Sequence, residues 1–178
     1  MLHALIEGDA DAPFVAIDFE TADYGPDSAC AVALVRVEGR GIVDRQFALI
    51  RPPRRTFRFT YIHGITWGDV AGAPTFAECW PALCGILDGV RFLAAHNSSF
   101  DRGVLRACCQ QAGLDPPAHP FVCTVRLARH TWKLRPANLP AVCARLDIPL
   151  NHHDARSDAE ACARIVIEAR RQLRREVV

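Results

Sequence analysis

The chain has 178 residues, half of them hydrophobic, and a net charge of +1. That length suits one domain with a substantial core and is short for two, so a single domain over 1–178 is expected. Near-neutral charge excludes a binder that holds nucleic acid by bulk charge, and no apolar run reaches the ~18–20 residues of a membrane span.

In chain order, residues 1–13 (MLHALIEGDADAP) lack a basic segment and an apolar core, so no secretory leader and a cytoplasmic location are expected. FVAIDFET (14–21), SACAVALVRVEG and GIVDRQFALIRP then read as three strands on short connections, an antiparallel meander, with EGRG as a turn. Thr75 and Glu78 have capping-box spacing before a helical run through Leu87. RFLAA (91–95) is a short buried strand, followed by HNSSFD and a helix through Ala112 with Gly113 at its C′ position. PFVCT is a fifth strand leading into a helix over Val125–Trp132; Asn138 caps another ending near Asp147, and a last helix runs from Arg156 to Arg174. Meander first, then alternating strand and helix, the pattern predicts an α/β fold with a mixed sheet covered by helices.

The eight cysteines contain no C-x-x-C and fall mostly in apolar periodic stretches, favouring reduced, buried thiols over disulfides or a zinc site. Lys133 is the only lysine, and the arginines cluster in RPPRRTFR (51–58) and at Arg170, Arg171, Arg174 and Arg175. Guanidinium forks suit phosphate, but the C-terminal set reads as a solvated helix face, and the loop is divided evenly between the two readings.

FVAIDFET poses the chemical question. Asp18 and Glu20 are two apart in a strand, so both carboxylates share one face at the end of an otherwise buried element. A hard divalent cation would hold such a pair, and further carboxylates would have to join it. Asp101, after the short fourth strand, and Asp158, near the start of the last helix, are the candidates; each alone could be ordinary helix-start charge. His153 precedes Asp158 by five residues, a spacing that works if the histidine lies on the loop entering the helix, where it could serve as general base. His152 competes with it, and only spacing favours His153.

Taken in order, IDFET, IHGIT (62–66), AHNSSFD (95–101) and HHDARSDA resemble the motifs of the DEDDh 3′–5′ exonuclease family, most closely proofreading polymerase III epsilon-type members and their stand-alone relatives. The resemblance covers about residues 13–170. It implies a ribonuclease H-like fold with a mixed five-stranded sheet, strands 1–3 antiparallel and strands 4–5 parallel, flanked by helices. Asp18, Glu20, Asp101 and Asp158 would be the metal-binding acids for two Mg²⁺ or Mn²⁺ ions, with His153 the general base. Phe19, Thr21, His63 and Phe100 would line the terminal-nucleotide pocket, and Asn97 would support the local backbone; core packing is the plain alternative for Phe19 and Phe100.

The implied activity is removal of nucleoside monophosphates from 3′ ends of single-stranded or frayed DNA. Its alternatives are an RNA-directed exonuclease of the same family and a catalytically silent nucleic-acid-binding module. Ser98 and Ser99 stand where many relatives carry alanine, and Arg102 and Arg156 lie close to the acids. The chain stops soon after its last helix, which puts a polymerase partnership in doubt. No membrane partner is expected.

Overall fold

The computed structural model describes Ile6 and residues 11–176; most of the segment bearing on the leader expectation lies outside these. Five strands form one sheet in the order β3-β2-β1-β4-β5: β1 Phe14–Thr21, β2 Ala29–Glu38, β3 Gly41–Leu49, β4 Phe92–Ala95 and β5 Phe121–Cys123. The first three pair antiparallel, and β1–β4 and β4–β5 are parallel. Sheet type and strand order are those of the ribonuclease H-like fold. The helices within residues 11–176 are α1 Thr60–His63, α2 Trp67–Val70, α3 Phe76–Leu83, α4 Ser99–Ala112, α5 Thr124–Thr131, α6 Leu139–Leu146 and α7 Ala155–Glu176.

Alternation along β1 divides the core. Val15, Ile17 and Phe19 pack on one face with α3 and α4 residues, among them Trp80, Val104 and Leu105. Phe14 and Ala16 pack on the other with Ala155, Ala159, Cys162, Ala163 and Val166 of α7. Asp18 and Glu20 continue the second face, so the long helix covers the same side on which the acids stand. The buried side of α7 is built largely of alanine, which lets its backbone lie close to the sheet.

Local signals explain the helix ends. Gly113 sits at φ +69 and its N–H closes α4 on Cys109 and Gln110, as a C′ glycine does. Asn138 Oδ1 accepts the Ala141 N–H at 3.0 Å to cap α6. The helix expected through Leu87 is α only to Leu83; Cys84–Leu87 tightens into a 3-10 turn around Gly85. α1 and α2 are each a single turn, with too few residues to show a helical period in the sequence. All eight cysteines are free thiols and six are buried. Among the described residues, no helix is long and apolar enough to cross a membrane.

The C-terminal arginines are not uniformly a solvated face. Arg170 is 2% exposed, its guanidinium 4.9 Å from the centroid of Phe14 and 5.5 Å from that of Phe92, and it donates to the Ala12 carbonyl at 2.9 Å. The two phenylalanines are themselves stacked, with centroids 5.0 Å apart. Arg171 instead forms an exposed pair with Glu168. Arg170→Ala is expected to cost about 3 kcal/mol of stability and Arg171→Ala less than about 0.5 kcal/mol, as read by urea unfolding. Equal effects would contradict the buried role.

Candidate active site

The ladder between β1 and β4 runs from Phe14–Phe92 to Ala16–Ala94 and stops there. Beyond it the two parallel strands separate at their carboxyl ends, the usual position for a ligand site in an α/β sheet. The Phe19 N–H, left without a strand partner on that side, donates to Asp101 Oδ1 at 3.1 Å. This bond draws the first turn of α4 to the end of β1, and Asp101 is only 1% exposed. Asp158, 5% exposed, is three residues after Ala155 and four before Cys162, on the face of α7 that meets the sheet.

The four acids repel one another. Asp18 is pushed well above the ordinary carboxylate range by burial first, then by Asp101, Asp158 and Glu20. Burial raises Glu20 to about 8, assisted by Asp158 and Asp101. Asp101 rises to about 7 through burial, partly opposed by the Phe19 N–H. Asp158 is raised for the same first reason, against hydrogen bonds from His153 and His152. Among the described residues no arginine or lysine pairs with any of the four, and Asp158 Oδ1 is buried without a hydrogen-bond partner. Carboxylates with an unsatisfied buried oxygen fit a hard divalent cation, and ligand atoms of His152, His153 and Asp158 lie within 4.8 Å of one another.

Both histidines of the entering loop meet Asp158. The His153 backbone N–H donates to Oδ2 at 3.1 Å, with His153 itself in the left-handed region at φ +70. The side chain bonded to Oδ2 is that of His152, whose Nδ1 lies 2.9 Å away. The two imidazoles stack with centroids 3.8 Å apart. Burial and the neighbouring His152 lower the His153 pKa, which favours its neutral, proton-accepting form. His152 and Asp154 extend the set expected from sequence. Asp154 adds to the negative field on Asp18 and Glu20 while forking with Arg156. Its signal was available as the extra acid in HHDARSD.

A cleft of about 560 Å³ opens beside Glu20, lined in part by Phe47, Ile62, His63, His153 and Arg156. His63 accepts the Ile65 N–H at Nδ1, so its Nε2 carries the proton and donates to the Thr21 carbonyl, 3.1 Å away. That neutral tautomer agrees with a pKa lowered by burial, and it fastens the α1 loop to the end of β1. Thr21 is 6% exposed, and its contribution here is that carbonyl. Phe100 stands 46% exposed beside Asp101. Asn97 holds φ +68, and its carbonyl accepts the Phe100 N–H, a backbone-supporting position. Phe19 departs from expectation: its ring is 3% exposed within the core, and only its N–H reaches the site. The alternation that puts Asp18 and Glu20 on one face sends Phe19 to the other.

The family model described as Exonuclease matches residues 15–166. The chain belongs to the DEDDh 3′–5′ exonuclease family. A DNA polymerase III PolC-type protein of Thermotoga maritima is 34% identical over 162 residues, covering 88% of this chain and 12% of that protein. This exonuclease-family chain therefore spans about an eighth of such relatives. Exonuclease X, solved with 5′ overhanging duplex DNA, is 27% identical with a TM-score of 0.71, covering 88% of this chain and 90% of that one. The nuclease domain of 3′hExo, described as a DEDDh family member and bound to rAMP, shares the fold at 20% identity and a TM-score of 0.76, covering 92% of each chain. Exonucleases of this fold use divalent metals.

Proposed function

We infer that this chain hydrolyses phosphodiester bonds at 3′ ends of single-stranded or frayed DNA, releasing nucleoside monophosphates. The observation that carries the reading is the placement of Asp18 and Glu20 at the end of β1, with Asp101 tied there by the Phe19 N–H and Asp158 Oδ1 buried without a partner, and with no arginine or lysine paired to any of the four among the described residues. These four residues would hold two Mg²⁺ or Mn²⁺ ions, whose chemistry is to lower the pKa of water and stabilise charge on the leaving oxygen. The rest falls to the protein's own groups. A ring nitrogen of His153 takes the proton of the attacking water, and the His152 side chain and the His153 N–H keep Asp158 oriented. Phe100 and the cleft wall at Ile62 and His63 seat the terminal nucleotide.

A 5′-labelled oligonucleotide should shorten stepwise in Mg²⁺ or Mn²⁺ and remain intact in EDTA. Absence of laddering, or laddering unaffected by Asp101→Ala, would exclude the reading. Matched DNA and RNA strands in the same assay separate deoxyribonuclease from ribonuclease activity, since discrimination depends on contacts to the 2′-hydroxyl.

A further inference from the structure

Residues 116–146 hold four arginines and Lys133 but no Asp or Glu, in a chain whose net charge is only +1. The cations are Arg126, Arg129, Lys133, Arg135 and Arg145; all are exposed, and none forms a salt bridge among the described residues. Glu160 and Glu168, on the helix that α5 packs against, already hold Arg45, Arg164 and Arg171. This face therefore keeps a surplus of positive charge.

Local structure ties the face to the carboxylates. β4 and β5 pair in parallel with Ala95 opposite Cys123, so α4 and α5 leave the sheet side by side at its carboxyl edge. α5 turns Thr124, Leu127 and Ala128 inward and Arg126 and Arg129, three apart, to solvent. Its first residue is pinned beside the site. The buried Thr124 hydroxyl lies 2.8 Å from His96 Nδ1 and accepts the thiol of Cys162, one helical turn past Asp158, at 3.8 Å. From there the eight residues of α5 rise about 12 Å, and Lys133 and Arg135 follow in the next loop.

Sheet order sets the direction of a bound strand. Ala31, Phe47 and Leu49 line the cleft, so a terminal nucleotide there lies toward β2 and β3. In the order β3-β2-β1-β4-β5, the rest of the strand leaves the carboxylates on the other side, over β4 and β5 toward α5. Guanidinium and ammonium groups without acidic partners match the phosphates arriving there.

We propose that Arg126, Arg129 and Lys133 form a phosphate track for the strand upstream of the cleaved bond, which makes long strands rather than dinucleotides the preferred substrate. The direction of the strand rests on the exonuclease reading. Affinity then comes largely from a surface outside the catalytic cleft and falls as salt rises.

The test compares the parent with a track variant carrying Arg126→Gln, Arg129→Gln and Lys133→Gln in the full chain. A charge-matched control carries Arg40→Gln, Arg91→Gln and Arg175→Gln, exposed positions at the β2–β3 turn, just before β4 and at the far end of α7. Fluorescence anisotropy follows a 5′-labelled oligothymidine dodecamer in Ca²⁺ over a salt series. The track variant should bind at least about tenfold more weakly at low salt. Its slope of log K against log salt should be smaller by about 2, since each single-strand phosphate contact contributes about 0.7. The control should keep the parent's slope, and thermal melting checks that both variants are folded. In Mg²⁺ or Mn²⁺ the parent should turn over the dodecamer at least about tenfold faster than a thymidine dinucleotide, a preference the track variant should largely lose. Equal slopes for track variant and parent overturn the track and leave the face to an acidic protein segment. An equal loss in the control, or an unchanged length preference, also overturns it. A dodecamer held through these cations but not shortened in Mg²⁺ or Mn²⁺ supports the track and removes the exonuclease reading.

Discussion

Asp18→Asn is expected to lower the cleavage rate at least about a thousandfold while leaving the metal-free protein as stable as the parent or slightly more so. The two effects share a cause. Burial and four neighbouring acids raise the Asp18 pKa in the folded protein. The folded state therefore keeps a proton that the unfolded chain releases, and stability falls as pH rises above the ordinary carboxylate range. An isosteric amide cannot ionise and escapes that loss. It also removes one donor, so stabilisation by a divalent cation should shrink. In the parent that gain is about 2.7 kcal/mol at a hundredfold excess of metal over Kd. Thermal melting with EDTA and with Mn²⁺, run beside the oligonucleotide assay, checks both. A variant that still cleaves, or that gains as much from metal as the parent, would contradict the assignment.

His153→Ala should lose about 10²- to 10⁴-fold in rate and keep its metal-dependent rise in melting temperature, because a general base moves a proton without being needed for the carboxylate set. His152→Ala should behave differently. Its imidazole holds Asp158 Oδ2, so removing it should weaken metal stabilisation more than His153→Ala does. Parallel titrations of the two variants with Mn²⁺, each followed by rate and by melting, distinguish the roles. A larger rate loss for His152→Ala at saturating metal would reverse them.

Much of this site was legible because it depends on simple periods. Alternation in FVAIDFET put both acids on one face, and the spacing along the last helix puts Asp158 on its buried face with Ala155 and Cys162. The same rules, applied fully, would have sent the Phe19 ring away from the site. They would also have placed Arg170 on the face shared with Val166, Ala169 and Leu173, where residue type suggested solvent. The division of labour between His152 and His153 was not legible. They are chemically identical neighbours in a loop, and only the left-handed turn at His153 decides which presents an imidazole and which an N–H to Asp158. The fate of RPPRRTFR was hidden for another reason: Arg54 finds its acids in a different segment, at Asp23 and Asp27.

The alanine-lined underside of α7 carries a meaning beyond packing. Ala155, Ala159 and Ala163 set the standoff between helix and sheet, and Asp158 rides on that helix while Asp18 rides on the sheet. The helix thus acts as a spacer gauge for the carboxylates. A bulkier residue two turns away could widen the gap between them without touching a ligand, so impaired variants should map along the length of α7 as well as around its first turn.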